Sequence, residues 1–349
     1  MKALVYNGPR DVRFESFKDP ELRSPNAAIV KVKSCSICGS DLHIYHGDQI
    51  GSSDYGAEVE KFCVGHEFIG EVVETGPHVH GIKVGDAVLA AGGTGCGKCD
   101  QCKTGHSLKC RKATAFGLSA EMHGGQADFF IVPNADTTLL PIPDGISDEH
   151  AVLLTDAAAT AYFGTTRADI QPGGTVAVVG LGPIGLIGVE LAFIMGASNV
   201  YAIDPVEERR ARATQLGAKS FAPTSEALSE IKDETKGSGV HSVFEASGAK
   251  AAVQTAISLV CSNGTASFIG LPQPDVTLPL MSLLYKNVTV RAGVAPVPLL
   301  WDPLIPLMQQ GRLKAPDLFT HTFDLSDGSD AYKLFDGRED GVVKVMLNV

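Results

Sequence analysis

Within a chain of 349 residues, a few cysteines and histidines stand at spacings that suit metal chemistry. Cys96, Cys99, Cys102 and Cys110 follow C-x2-C-x2-C-x7-C in a Gly- and Lys-rich stretch. Four thiolates on one Zn²⁺ make a closed tetrahedral site of the structural kind, with no position left for a substrate. The net negative charge of such a site is answered locally. Lys98, Lys103, Lys109, Arg111 and Lys112 surround the ligands against a single acid, Asp100. The competing reading, two disulfides, fits poorly because adjacent C-x2-C loops close awkwardly and a reducing compartment disfavours them. A second, dispersed set comprises Cys38-Gly39-Ser40-Asp41-Leu42-His43 and, after an intervening loop, Gly65-His66-Glu67. It offers a thiolate, an imidazole, a hydroxyl and nearby carboxylates, the components of a catalytic metal with one open position. Cys63 and Cys261 read as packing thiols.

A third pattern, Gly180-Leu181-Gly182-Pro183-Ile184-Gly185, has the form G-x-G-x-x-G. The motif is weak alone and gains meaning from following an apolar strand and opening an apolar helix. Gly180 permits a tight turn, Gly182 lets the backbone approach a pyrophosphate, and Gly185 allows close helix-to-strand packing. The helix start offers partial positive charge and free N–H groups to phosphates. Asp204 stands 19 residues beyond Gly185, where a carboxylate accepts hydrogen bonds from ribose hydroxyls and repels a 2′-phosphate. NAD is therefore expected over NADP, with Arg209 and Arg210 close behind Asp204 as the opposing signal.

The elements that must position these residues fall into two kinds. Up to about residue 151 the chain has short β-rich runs, such as Ala28 to Val32 and Phe68 to Val73, punctuated by Gly, Pro and Asp. This half reads as a mostly antiparallel β domain, 1–151, with the four-cysteine lobe at about 92–113. From 152 to 293 the apolar run Thr175 to Val179, the helical stretch Ile184 to Met195, and the alternation of Asn199 to Ile203, Glu207 to Leu216, Val240 to Ala246 and Thr265 to Ile269 predict an α/β doubly wound unit. The segment 294–349 begins with the breaker Ala295-Pro296-Val297-Pro298, and its end, Val342 to Leu347, is expected to return and pair with the first domain.

Composition narrows the function classes. With 29 basic and 40 acidic residues the net charge is −11, which repels a phosphate backbone and an anionic membrane surface. The chain shows no repeat, no low-complexity tract and no run of 18 apolar residues, and MKALVYNGPR carries no apolar leader segment. A cytoplasmic enzyme with a small-molecule substrate is expected, with neither nucleic acid nor membrane as partner.

Taken together, the C-G-S-D-x-H and G-H-E segments, the four-cysteine loop, the G-L-G-P-I-G turn and Asp204 resemble the zinc-dependent alcohol dehydrogenases of the medium-chain dehydrogenase/reductase family, in order and over nearly the whole chain. The resemblance implies a GroES-like β-rich catalytic domain beside a Rossmann domain. It implies two zinc ions per subunit, one structural and one catalytic. It implies Cys38 and His66 as catalytic-zinc ligands, with Asp41 and Glu67 behind them and Glu67 as an alternate ligand. Asp156, in Leu154-Thr155-Asp156-Ala157, falls where many members carry a third-ligand cysteine, so the chain resembles the branch with Cys, His and Asp, the secondary-alcohol dehydrogenases. Charge is conserved by that exchange, and a helix N-cap before the Ala-rich run that follows is the competing role for Asp156. The resemblance further implies Ser40 as first carrier of the alcohol proton, His43 as its exit to solvent, Thr160 on the nicotinamide side, and Lys344 approaching the cofactor pyrophosphate.

Substrate and assembly follow less directly. Gln126, in a segment resembling the family's G-G-x-A-[DE] motif, and Gly92 stand where larger or more apolar residues are common, implying a roomier, more polar pocket for secondary or hydroxylated alcohols. Trp301 is expected in the core, with a pocket wall or subunit contact as the alternatives. A homotetramer is favoured over a homodimer. The alternatives are a polyol dehydrogenase of the sorbitol or xylitol type and, from another class, a non-catalytic dinucleotide-binding redox sensor.

Overall fold

The computed structural model describes residues 1–47, 61–272, 276–315 and 317–349. They divide into two compact units. The first comprises Met1–Asp156, Pro296–Ile305 and Asp317–Val349, and the second Ala157–Ala295 and Pro306–Pro316. The division falls at Asp156/Ala157 rather than at the expected 151/152, because the helix Asp148–Thr155 buries its apolar residues Ala151 to Leu154 against strands of the first unit. The expected 294–349 return is also split. Residues 306–316 join the second unit, where Glu190 accepts the backbone N–H groups of Lys314 (2.6 Å) and Ala315 (3.0 Å).

In the first unit the long strand Ala28–Ile37 is the organising element. Glu67–Thr75 and Phe129–Val132 pair with it antiparallel. So does the C-terminal strand Lys344–Asn348, with Val345 opposite Ile37 and Leu347 opposite Cys35, which is the expected return of the tail. Alternation along Ala28–Ile37 exposes Lys31 and Lys33 and buries Val30, Val32 and Cys35. Phe130 lies between Phe68 and Phe116, ring centroids 4.9 Å from each, in the main apolar cluster.

Gln126 departs from its expected role in the pocket. It is fully buried in this core, its amide donates to the carbonyl of Ser36 (3.1 Å), and its own carbonyl accepts the Tyr332 hydroxyl (2.9 Å). Gly65 takes a positive φ of 92° directly against it, and a Cβ there would meet Gln126 Cγ at 2.3 Å. A polar side chain at 126 is thus a core connector with its hydrogen-bonding groups satisfied. Trp301 is likewise interior, its indole N–H donating to the carbonyl of Leu154 at 3.0 Å.

In the second unit, six parallel strands among the described residues run in the spatial order Lys219–Phe221, Asn199–Ile203, Thr175–Val179, Val240–Glu245, Val260–Phe268, Thr289–Ala292. Numbered along the chain this is 3-2-1-4-5-6, the doubly wound order whose direction reverses beside the first strand. Val176 to Val179 are buried, as a central strand covered on both faces requires. Among the described residues no helix is long and apolar enough to cross a membrane.

Tyr332→Phe would leave the buried Gln126 carbonyl without its donor and is expected to cost about 1–3 kcal/mol. The shift of the denaturant midpoint, with the slope unchanged, measures that loss.

Candidate metal centres and dinucleotide cradle

Cys38 closes the strand Ala28–Ile37 and caps the short helix Gly39–His46. Asp41, in that helix's first turn, accepts the Cys38 backbone N–H at 2.9 Å and so fixes the helix start. The other oxygen of the same carboxylate lies 3.1 Å from Nδ1 of His66, and both groups are buried. One acid thereby sets the position of the thiol and turns Nε2 of the imidazole outward, the carboxylate–histidine pairing that orients metal ligands. Gly92 lies beside this imidazole, and a Cβ there would come within 3.3 Å of His66 Cδ2.

Asp156, at the C-terminal end of the helix Asp148–Thr155, brings Oδ2 to 3.4 Å from Cys38 Sγ and 3.6 Å from His66 Nε2. It is the C-cap of that helix rather than an assigned N-cap of the helix Ala157–Arg167 that follows, and its carboxylate faces Cys38 and His66. Donor atoms of Cys38, His66 and Asp156 lie within 4.8 Å of one another. Ligands about 2.0–2.3 Å from one tetrahedral Zn²⁺ stand roughly 3.3–3.8 Å apart, so the donor set fits that ion. Burial first, then Glu67 and Asp156, push the Cys38 thiol up. Burial opposes charge on His66, but Asp41, Asp156 and Cys38 outweigh it and hold the imidazole well above its ordinary range. Ser40 places its hydroxyl 3.2 Å from His66 Nε2, and His43, three residues along the same helix, is half-buried.

The four-cysteine lobe is equally preformed. Its Sγ atoms lie within 4.8 Å of one another, with Cys96–Cys102 at 4.0 Å and Cys99–Cys102 at 3.6 Å, near the roughly 3.8 Å edge of a ZnS₄ tetrahedron. All eight cysteines of the chain are unbridged. Backbone N–H groups of Cys96 (3.4 Å) and Lys112 (3.2 Å) donate to Cys110 Sγ, and its thiol is lowered. The backbone N–H groups of Lys98 and Cys99 bring the Cys96 thiol down to about 6. Gly95 passes under the cluster, where a Cβ would meet Cys102 Sγ at 2.6 Å.

In the second unit the three turn glycines have separable jobs. Gly180 has φ +88°, Gly182 has nothing within 4 Å of a Cβ position, and a Cβ on Gly185 would meet the Gly180 carbonyl at 1.8 Å. Gly180 thus takes a conformation that favours glycine, Gly182 stands open, and Gly185 is packed against the turn too closely for a side chain. Pro183 opens the helix Pro183–Ile194, whose start has no side-chain cap, and Ile184 follows it. Asp204 is 4% exposed and accepts the Leu181 N–H at 2.7 Å and the Val206 N–H at 2.8 Å, so its carboxylate is aimed at the glycine turn. Arg210 donates to the backbone carbonyls of Asp204 and Pro205 at 2.8 Å each. Arg209 and Thr160 are half-buried, in the helices Glu207–Gln215 and Ala157–Arg167.

Sequence comparison meets this geometry at both units. Residues 24–144 match the model of the alcohol dehydrogenase GroES-like domain and residues 183–310 that of the zinc-binding dehydrogenases. A probable zinc-binding alcohol dehydrogenase of Mycobacterium tuberculosis is 39% identical over 334 residues, 95% of this chain and 84% of that protein. The chain belongs to the zinc-dependent alcohol dehydrogenases. Among solved structures, an alcohol dehydrogenase from Thermus sp. ATN1 superposes with a TM-score of 0.92 at 33% identity, covering 100% of both chains. The 2R,3R-butanediol dehydrogenase of Bacillus subtilis does so with a TM-score of 0.84 at 28% identity, over 100% of this chain and 99% of that one. As a zinc-dependent alcohol dehydrogenase of the medium-chain family, this protein is an oxidoreductase that oxidises alcohols, with a GroES-like domain and a Rossmann domain.

Two residues stand differently from what the sequence suggested. Lys344 is 1% exposed, and its ammonium is bonded to Glu67 Oε2 at 2.6 Å and to the carbonyl of Ile37 at 3.4 Å, so it is not free to meet a pyrophosphate. Glu245, unremarked in the sequence, is fully buried at the end of the strand Val240–Glu245. Its Oε1 accepts the N–H groups of Ser247 and Gly248 at 2.8 Å each, shaping the loop that packs against Gly180. The only signal for it was an acid closing an apolar strand.

Burial raises the Glu245 carboxyl from 4.5 to about 7 despite those two donors. The folded state then holds this proton over a range where the unfolded chain has lost it, so its contribution to stability is fully present below about pH 4.5 and declines as pH rises to about 7. Glu245→Gln is expected to flatten the dependence of unfolding stability on pH across that window. Parallel slopes in variant and parent would contradict it.

Proposed function

We propose that the protein oxidises a secondary or hydroxylated alcohol to the corresponding ketone, reversibly and with NAD as hydride acceptor, at Cys38, His66 and Asp156. The observation that carries this reading is the preformed three-donor cage with the Ser40 hydroxyl at its edge, 3.2 Å from His66 Nε2. Zinc bound there supplies a Lewis acid that makes a coordinated alcohol far more acidic. Ser40 accepts the alcohol proton as it gives up its own hydroxyl proton, and His43, one turn along the same helix, delivers that proton to solvent. Asp41 holds the imidazole in one tautomer and orientation throughout. In the second unit, Gly180, Gly182 and Gly185, with Pro183 and Ile184 at the helix start, receive the pyrophosphate, and Asp204 takes the ribose hydroxyls, with Arg209 close behind and Thr160 on the nicotinamide side. The committed bonds of Arg210 and the carboxylate of Asp204 favour NAD over NADP. A second zinc belongs to Cys96, Cys99, Cys102 and Cys110, where no position is left for substrate.

For the substrate, the butanediol dehydrogenase relative favours a hydroxyl-bearing secondary alcohol, and the small Gly92 beside His66 leaves room near the metal. Gln126 contributes nothing to that preference from its place in the core. Assembly into a homo-oligomer, a tetramer by family resemblance, is supported by apolar surface on the second unit. Leu280, Met281, Leu284 and Tyr285 on the helix Leu280–Lys286 are 62–78% exposed, and Val290 lies exposed on the edge strand Thr289–Ala292.

Metal analysis of the purified protein is expected to give two zinc ions per subunit, falling to one in Cys38→Ala with loss of turnover, and to a different one in Cys102→Ser. With NAD⁺, kcat/KM for 2-butanol and 2,3-butanediol should exceed that for ethanol. One zinc unaffected by Cys38→Ala, with no alcohol oxidised, would sink the proposal. Leu284→Glu with Tyr285→Glu is expected to lower the solution mass measured by light scattering.

A further inference from the structure

Behind the three metal-facing side chains lies a buried pair of opposite charges. Glu67 begins the strand that follows His66 and is 1% exposed; Lys344 begins the final strand and is as deeply buried. Glu67 Oε2 accepts both the Lys344 ammonium, at 2.6 Å, and the Ser36 hydroxyl. Lys344 also reaches the carbonyl of Ile37, so Ser36 and Ile37, the two residues before Cys38, tie the pair to the metal-facing thiol. The second oxygen of Glu67, Oε1, is buried with no hydrogen-bond partner.

This arrangement leaves a carboxylate with unused ligating capacity next in sequence to a metal ligand. A buried anion deprived of its partner is strongly destabilised and seeks the nearest positive charge. With Cys38 ionised, the thiolate and Asp156 balance a divalent ion, and the charge of Glu67 is left for Lys344. We infer that Lys344 is a positioning residue whose ammonium holds Glu67 away from the metal and so keeps the fourth coordination position open to substrate. Lys344 thus acts on the metal's coordination through Glu67, and this rests on the metal reading of Cys38, His66 and Asp156.

The test uses the whole protein with Co²⁺ in place of zinc, whose visible d–d bands report coordination, and imidazole as a probe of the open position. Lys344→Met is expected to change the bands before any addition and to weaken the imidazole response about tenfold or more, with kcat down about 10–100-fold, as loss of a supporting outer partner does. The KM for NAD⁺ should stay within about twofold, since the ammonium is not assigned to the cofactor. Lys344→Met combined with Glu67→Gln removes both charges together and is expected to restore the parent bands and imidazole response. Metal retained by the four-cysteine lobe and unchanged near-ultraviolet circular dichroism establish that the variants are folded. Unchanged bands with a KM for NAD⁺ raised about tenfold or more would assign Lys344 to the cofactor and overturn the inference. So would unchanged bands and unchanged kinetics, or a double variant that stays as perturbed as the single one. Cobalt uptake by the parent protein at the four-cysteine lobe alone would instead remove the catalytic metal site itself, and the inference with it.

Discussion

The divided use of Asp41 is the constraint on which the candidate site at Cys38, His66 and Asp156 depends. One oxygen closes the first turn of the helix Gly39–His46 through the Cys38 N–H, and the other faces His66 Nδ1. Cys38 sits at the end of one strand and His66 just before another, and the pairing of Ala28–Ile37 with Glu67–Thr75 brings them within reach. The strands bring the thiol and the imidazole near each other; Asp41 fixes which atoms they present. Without that carboxylate the helix start frays, and the imidazole loses the partner that selects its tautomer.

Charge compensation is the second constraint, and the two sulfur-bearing sites meet it differently. The four-cysteine lobe lies nearer the surface, with backbone N–H groups donating to Cys110 Sγ and lysines close by in sequence. Around Cys38 the buried charges are paired inside the fold, Glu67 with Lys344 and Asp41 with the imidazole of His66. Water screens surface charges at little cost, whereas each buried one needs a partner within hydrogen-bonding distance. For the same reason the neighbouring polar groups Ser36, Gln126 and Tyr332 are chained together by hydrogen bonds.

Much of this was legible in the sequence. The run Thr175 to Val179 and its glycine turn announced the first strand and helix of the doubly wound unit, because a fully buried parallel strand leaves a continuous apolar signature and its turn demands glycine at fixed offsets. The C-x2-C-x2-C-x7-C lobe is likewise local, with all ligands inside one short loop. Cys38 and His66 were legible as a dispersed pair of metal-binding types and Asp156 only through a resemblance, since nothing in their separation along the chain states that they converge. Gln126 and Lys344 were misplaced for a related reason. A polar or charged residue is read as facing solvent or ligand until the fold reveals a partner for it, and their partners, Tyr332 and Glu67, lie far away in sequence.

The sequence by itself therefore determined the two kinds of unit, the glycine turn with Asp204 at the next strand end, and the four-cysteine lobe, all set by short-range periodicity and local spacing. Only the tertiary structure decided the division at Asp156, the burial of Glu245, the core role of Gln126 and the pairing of Lys344 with Glu67. Each of these depends on which distant strands lie side by side. That choice is made by burial of apolar faces over the whole unit, and the polar residues caught between those faces take whatever partners the packing leaves within reach.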